Sequence, residues 1–345
     1  MTKSVLEGKA YIDLFAGVGG FHLAMESMGM ECKFASEWDK HAAAVYENNF
    51  GLAPKGDITK IEAADVPKHF MVCGGFPCQA FSISGKRLGF SDTRGTLFFD
   101  VARIVKEHKP SVLFLENVRN FAQHDGGKTL KTVRNVLEDL GYVVFHKVLN
   151  AAEYGFPTAR QRIYIVAFRD DLGVDPADGF TFPPKAGPAP ALKSFLEKTA
   201  DVSVLKVAKE ANISAAKSGS KAVAAFRSKR PSAPVRIGSI AGGGQGDRVY
   251  SPEGPAITLS AYGGGNAAKT GAYLIDGVVR KLSPRECANI MGFPKKYKLA
   301  AKANQAYKQF GNSVVVGVIK AIAAEIDNAL MRSVQKKKAG GKAAR

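Results

Sequence analysis

The chain is short of several things. It has one tryptophan, four cysteines and six histidines in 345 residues, and its 31 acids are outnumbered by 49 bases. Cys32, Cys73, Cys78 and Cys287 show no paired spacing suited to zinc, and the histidines are scattered, so no metal site is expected. So few cysteines in so long a chain exclude a disulfide framework and leave any free thiol available for chemistry. No apolar run reaches the roughly 20 residues that a membrane span needs, so no membrane partner is expected. The first residues lack the basic, apolar and small-residue pattern of an export signal, and the expectation is a cytoplasmic, nucleoid-associated chain.

The shortage of acids gives a formal net charge of +18, which points to a polyanionic partner such as nucleic acid; a solvated basic surface without a specific partner would carry the same charge. Hydrophobic content of 46% and charged content of 23% are ordinary for a globular protein, and the length suffices for a large α/β core plus a smaller unit.

Short apolar segments, AYIDLF (10–15), CKFASE (32–37), FMVCGG (70–75), SVLFLENV (111–118) and RIYIVAF (162–168), read as buried strands. Between them GGFHLAMESMG, DKHAAAVYENNF, GTLFFDVARIVKEH and GKTLKTVRNVLEDLG have helical periodicity. The alternation predicts an α/β fold with a mostly parallel, doubly wound sheet. From about residue 171 the character changes. A Pro-rich break leads into a lysine-rich stretch, and residues 238–277 are rich in Gly and Ser with short β-like pieces such as RVYS and AITLSAY. The boundaries predicted are a first domain of 1–189 plus 311–331, a smaller loop-rich β domain over 190–282, a hinge over 283–310 and a disordered basic tail over 332–345. QAYKQFGNSVVVGVIKAIAAEIDNAL reads as a helix docking on the first domain.

DLFAGVGG (13–20) follows a strand and opens a helix, a turn that lets a ligand approach the backbone. It is neither G-x-G-x-x-G nor a P-loop, and a ligand-free tight turn would look the same. Glu37 ends the second strand beside Trp38, an acid for ribose hydroxyls next to an indole face for an adenine or a sulfonium. Asp57 lies in GDIT, where it could also be a helix cap. Together the three positions favour an adenosine-type cofactor.

Cys73 has the apolar neighbours of a packing cysteine, whereas Cys78 follows Pro77 at the mouth of a Gly- and Ser-rich loop. Proline fixes the backbone there, and a thiolate aimed at a cleft is a strong nucleophile. Glu116, in LENV, ends the next strand, and Arg160 and Arg162 in RQR can hold a base oxygen or a phosphate. No Cys–His pair lies nearby, which argues against a papain-like hydrolase. Cysteine plus carboxyl beside such a cofactor, in a basic protein, suggests attack on a nucleobase.

In order, DLFAGVGG, EWDKHA, GDIT, GGFPCQAFS, LENV, RQRIYIVAF, RKLSPRECANIMGFP and QFGNSVV resemble the motifs of the DNA (cytosine-5)-methyltransferases over most of residues 10–330. The resemblance implies S-adenosylmethionine as cofactor, double-stranded DNA as partner and a monomeric enzyme. It implies Cys78, Glu116 and Arg162 as catalytic residues, acting on a cytosine rotated out of the duplex, with Glu116 held protonated by burial. Phe15, Gly17, Gly20, Glu37, Trp38, Asp57, Ile58, Pro77 and Leu97 match the family's cofactor-binding positions, and Asn312 and Ser313 close that pocket; packing is the alternative for Ile58 and Leu97. The loop from Ala80 to Gly95 has a closing lid's length, and Ser84 matches a residue that enters the duplex.

GGGQGDR (242–248) and SAYGGG (260–265) are candidate base readers in the variable region. Arg248 could pair bidentately with a guanine, and Gln245 could face the guanine orphaned by the rotated cytosine; Thr258, Tyr262 and Gly265 complete the expected DNA-binding set. Flexible loops without base contacts would also look like this. Both loops are similar to those of a relative that acts at GCGC, with Asp247 in place of glutamate, which predicts the same site for a restriction-modification or orphan enzyme. The alternatives are a tRNA cytosine-5 methyltransferase, whose subfamily lacks this Gly-rich region, and a catalytically silent DNA-binding protein, against which the intact Cys78, Glu116 and Arg162 argue.

Overall fold

The computed structural model describes residues 4–77, 97–198, 200–201, 205–207, 211–240, 245–263, 267 and 269–343. The chain divides into two compact units, Met1–Leu149 with Arg162–Pro183 and Ile319–Arg345, and Asn150–Gln161 with Pro184–Val318. The short segment before the RQRIYIVAF strand therefore goes with the second unit, although the sequence assigns it to the first.

In the first unit six strands, β1 (Ala10–Leu14), β2 (Glu31–Ser36), β3 (Met71–Gly75), β4 (Val112–Val118), β5 (Tyr142–Asn150) and β6 (Gln161–Arg169), form one sheet in the order β2-β1-β3-β4-β6-β5. Pairing is parallel from β2 through β4, and β6 runs antiparallel to β4. The doubly wound, mostly parallel reading is thus correct. β5 was not anticipated, because its half-exposed residues give no continuous apolar run. β1, β3 and β4 are buried almost throughout, as strands covered on both faces must be.

Helices α1 (Gly20–Glu26), α2 (Lys40–Phe50), α3 (Leu97–His108) and α4 (Lys128–Asp139) lie where periodicity predicts them. On α3, Phe98, Val101, Ala102, Ile104 and Val105 are buried at i, i+3, i+4, i+6 and i+7, joining Leu14, Val72, Leu113 and Ile165 in the main core. Each large side chain so buried contributes about 1.5–3 kcal/mol relative to an exposed one. Asp39 caps α2 by accepting from the His41 and Ala42 amides, and Gly51 closes it in a left-handed conformation. The chain leaves β1 for β2 on one side, then returns to place β3 on the other. The carboxyl ends of β1 and β3 thus form the switch point at which open α/β sheets bind ligands.

The second unit has a five-stranded sheet of β7 (Asn212–Ile213), β8 (Arg236–Ser239), β9 (Arg248–Tyr250), β10 (Ala272–Ile275) and β11 (Val278–Arg280), in the order β11-β10-β9-β8-β7, with the helix α5 (Ser220–Lys229). Val223, Val235, Ile237, Val249 and Ala272 are among its core residues. RVYS supplies β9, but AITLSAY is no strand of this sheet: its Ala256 makes an isolated bridge with Thr158. Helix α6 (Pro284–Ile290) begins with a capping box between Ser283 and Glu286. The Glu286 carboxylate is fully buried and takes Arg280 bidentately at 2.7 and 2.8 Å.

The stretch expected as one helix is two, α7 (Ala303–Asn312) and α8 (Val316–Ala343), parted at Ser313–Val315. The tail expected to be disordered from 332 is helical to Ala343. Ala, Lys and Gln favour helix, and the turn containing Arg332 and Ser333 is tied to the first unit by bonds to the Gly179 and Leu172 carbonyls.

Candidate active site

At the end of β1, Phe15 has φ 55°, an uncommon conformation for a non-glycine residue that costs on the order of 1 kcal/mol or more and clusters at functional sites. Gly17 and Gly19 are also left-handed, and the turn delivers the Gly17 amide to Glu37 Oε2 at 2.8 Å. The other oxygen of Glu37 accepts from the Asp39 amide at 2.8 Å. Both bonds fix a carboxylate that is 9% exposed at the end of β2. Trp38 next to it is 75% exposed, which is unusual for so large an apolar ring and leaves its face open.

Asp57 caps a short 3₁₀ turn, with the Thr59 amide and hydroxyl both on Oδ1; the backbone bond first, then the hydroxyl, holds its carboxyl below the usual range. Ile58 is buried in the main core, and Leu97 packs partly buried against it, so both have a packing role. Gly20 is the first residue of α1 and is buried.

Asp13, which the sequence reading did not single out, is fully buried in β1, and no described group donates a normal hydrogen bond to either carboxyl oxygen. Burial first, then the charge of Glu37, push this carboxyl well above its ordinary range, against a weaker pull from the His22 backbone amide. His22 is held neutral by burial, its pKa lowered to about 4, and its Nδ1 lies 2.7 Å from the Tyr46 hydroxyl. An acidic residue amid AYIDLF was the available signal.

The second half of the site lies across β3, β4 and β6. Register pairs Gly75 with Glu116 and Val118 with Arg162. Arg162 Nε lies 2.9 Å from Glu116 Oε1, with side chains 12% and 9% exposed. A β-carbon at Gly75 would lie 3.2 Å from Glu116 Oε2, tighter than most contacts, so the glycine keeps room for the carboxylate beside the end of β3. Asn117, also unforeseen, donates to the Phe76 carbonyl at 2.8 Å and fixes the backbone entering the cysteine motif; the N of LENV was its signal. Pro77 follows, exposed. Cys78 and Ser84 lie outside the described residues, as does the loop from Ala80 to Gly95.

The three described cysteines are all held as thiols. Burial pushes Cys73 and Cys287 well up and raises Cys32 to about 11. Buried thiols of this kind are poor nucleophiles. Cys73 is the packing residue that its neighbours suggest.

In the second unit Asn312 is exposed at the end of α7, and Ser313 is buried. Arg160 corrects the sequence reading. Its guanidinium is 3% exposed and donates to the carbonyls of Leu259, Gly311 and Ser313, so it is not available to a base or a phosphate. Arg248 starts β9, and its buried Nε has no hydrogen-bond partner among the described residues. Gln245 opens a short 3₁₀ turn. The Thr258 hydroxyl donates to the Ala159 carbonyl at 2.8 Å, while Tyr262 is 73% exposed. Gly265 lies outside the described residues.

No helix among the described residues is long and apolar enough to cross a membrane, and no group of His, Cys, Asp and Glu among them could hold a metal ion.

Residues 10–328 match the family model of the C-5 cytosine-specific DNA methylases. The chain is 50% identical over 327 residues to the Type II methyltransferase M.HhaI of Haemophilus parahaemolyticus, covering 94% of this chain and 96% of that protein. It is 41% identical over 341 residues to M.HpaII of Haemophilus parainfluenzae, covering 94% and 91%. Among solved structures it resembles the S. pombe Dnmt2 methyltransferase, with a TM-score of 0.66 and 18% identity over 92% of this chain and 97% of that one, a likeness of fold alone.

Proposed function

Given that the chain belongs to the C-5 cytosine-specific DNA methylases, we propose that it methylates the inner cytosine of GCGC in double-stranded DNA, as a monomer, through a covalent adduct of Cys78 with a base rotated out of the duplex. It is a cytosine-5 DNA methyltransferase of a family that uses S-adenosylmethionine. The observation that carries the mechanism is the Glu116–Arg162 pair beside the strand end that leads to Cys78.

The donor set at the first half of the site fits the cofactor. Glu37 has fixed carboxylate oxygens for ribose hydroxyls, Trp38 offers an open indole face to adenine or a cation, and Thr59 occupies only Oδ1 of Asp57. By the resemblance, Phe15, Gly17, Gly20, Ile58, Pro77 and Leu97 would also bind the cofactor, as would Asn312 and Ser313. When bound, S-adenosylmethionine supplies the methyl group that C5 receives.

The chain's own residues prepare C5. Cys78 Sγ adds to C6 of the flipped cytosine, which breaks the aromatic C5–C6 double bond and makes C5 nucleophilic. A proton on Glu116 passes to N3 and takes up the charge that would build there. Arg162 holds O2. In the DNA-free site Arg162 lies 2.9 Å from Glu116, and a bound ring would displace part of that pairing. After C5 has lost its proton to water the C5–C6 double bond re-forms, Cys78 leaves as the thiolate, and N3 returns its proton to Glu116.

Glu37→Ala should weaken S-adenosylmethionine binding, because the ribose loses its acceptor and the Gly17 turn loses its anchor. Duplex affinity should be largely unchanged. Isothermal titration with each ligand checks this, and the reverse pattern would overturn the assignment.

Site choice rests on the loops of the second unit. Arg248, at the start of β9, would pair with a guanine, a contact that discriminates by roughly 1–3 kcal/mol. Gln245 would face the orphaned guanine, and Ser84, Thr258, Tyr262 and Gly265 would line the duplex. The likeness of GGGQGDR and SAYGGG to the loops of a relative that acts at GCGC supports this site. Bisulfite sequencing of DNA treated in vitro should show conversion-resistant cytosine at GCGC; methylation at CCGG or GGCC with GCGC untouched would reject this site and keep the chemistry.

A further inference from the structure

We propose that the solvent face of α5, with the turns at its two ends, is a second DNA surface. It grips the phosphate backbone beside the target site and reads no sequence. The proposal rests on the reading of this chain as a DNA methyltransferase, and it extends the duplex held beyond the bases selected. The charge of the chain is unevenly placed. The second unit has 22 of the 49 bases and 8 of the 31 acids, a net +14 of the whole chain's +18. Within that unit no acid occurs between Glu210 and Asp247, a stretch that holds Lys217, Lys221, Arg227, Lys229, Arg230 and Arg236. Arg227 is spent inside the fold, donating to the Ala189 carbonyl at 2.7 Å. Arg236 alternates with the buried Val235 and Ile237, which pack with Val223 of α5, so it faces the other side of the sheet. The remaining four are exposed, and none is in an ion pair among the described residues.

The sequence of α5, SKAVAAFRSK, decides which face stays outside. Val223 is buried, and Phe226 packs partly buried against the same core. The opposite face presents Lys221, Ala224, Ala225, Ser228 and Lys229, all exposed. Small residues between the two lysines let a phosphate chain lie close to the helix. Ten residues of helix span about 15 Å, the rise of roughly four base-pair steps. Helix stability does not account for these charges. The first turn has no acid, and Lys221 there opposes the macrodipole, which only Lys229 and Arg230 at the other end suit. The strip begins beside the candidate base reader. Ser239 of β8 pairs with Arg248 of β9 on one side and with Asn212 of β7 on the other. The Ser214 amide then donates to the Ile237 carbonyl at 2.9 Å, and Lys217 follows in the next turn. From there α5 carries the chain back towards the start of β8 at Arg236. The strip therefore leads outward from the reader.

A grip on phosphates is read by salt, because each one neutralised adds about 0.9 to the slope of log Kd against log salt concentration. Binding of the full chain is measured by fluorescence anisotropy over a range of salt. One duplex of about 30 base pairs holds the methylated site in its middle, and one of about 12 ends close to it. Lys217→Gln, Lys221→Gln, Lys229→Gln and Arg230→Gln together should lower the slope by about 3 on the long duplex and by less than about 1 on the short one. Methyl transfer to the short duplex should be unchanged. The change on the long duplex should recur on DNA without the site, since phosphate contacts carry no sequence. Made separately, the 217 and 221 pair and the 229 and 230 pair should each give about half of it.

A change below about 1 on the long duplex, or an equal change on both duplexes, would overturn the proposal. So would a change seen on single-stranded RNA but not on duplex DNA, which would give the surface to another partner. If the fourfold variant does not fold, the two pairs carry the test, and an unchanged slope in both overturns it. A wild type that methylates no duplex would reject the functional reading, while the slope on site-free DNA would still decide the surface.

Discussion

Cys78→Ala is expected to bring methyl transfer down to background while leaving specific duplex binding in place. Without the thiol nothing adds to C6, and an unactivated C5 of cytosine does not attack a methyl donor. Enzymes that lose a covalent nucleophile fall by roughly a millionfold, which puts this variant below detection. Cys78→Ser should be almost as inactive, since a hydroxyl stays protonated at neutral pH where a thiol is partly ionised. No described cysteine can substitute. Cys32, Cys73 and Cys287 are held as thiols by burial. Tritiated methyl transfer to duplex DNA, beside a gel-shift titration, reads both halves of the prediction. Turnover by Cys78→Ala would remove the nucleophile from the mechanism.

Glu116→Gln should lower kcat by about 10²–10⁴-fold, the usual range for losing general acid–base help. Glutamine keeps the size of the side chain and an oxygen for the Arg162 Nε now 2.9 Å from the carboxylate. It removes the transferable proton. The affinity for S-adenosylmethionine should barely change, because Glu37 and Trp38 follow β2 and Asp57 caps the turn before β3, away from β4. Single-turnover kinetics separates the two effects, and a variant with wild-type turnover would take Glu116 out of the chemistry.

Much of this site could be read in the chain because strand–helix alternation puts successive motifs at one edge of a parallel sheet. DLFAGVGG, the Glu37–Trp38 pair and LENV all sit at strand carboxyl ends, as expected, and Glu116 meets Arg162 because β6 pairs antiparallel to β4. What could not be read depends on tertiary partners. Arg160 and Arg162 are two residues apart with the same chemistry, yet one is spent on three buried carbonyls and the other faces a carboxylate. Nothing local to RQR distinguishes them. Asp13 looks like an interruption of an apolar strand, and only its burial without a normal hydrogen bond marks it out. The 256–262 segment has a strand's composition but is held by the stretch before Arg160 instead of a sheet. The lysine-rich tail looks disordered by charge, whereas its first turn gains bonds to the Gly179 and Leu172 carbonyls.

The most direct test of covalent attack by Cys78 is trapping on a duplex carrying 5-fluorocytosine at the methylated position, in the presence of S-adenosylmethionine. Addition to C6 is reversible until C5 takes the methyl group; after that, fluorine cannot leave C5 as a proton does, so the methylated adduct cannot eliminate Cys78. The expected product is a denaturant-resistant protein–DNA species whose proteolysis and mass spectrometry place the nucleotide on the peptide containing Cys78. Methyl transfer to the unmodified duplex without any trapped species, or a nucleotide attached to another residue, would contradict it.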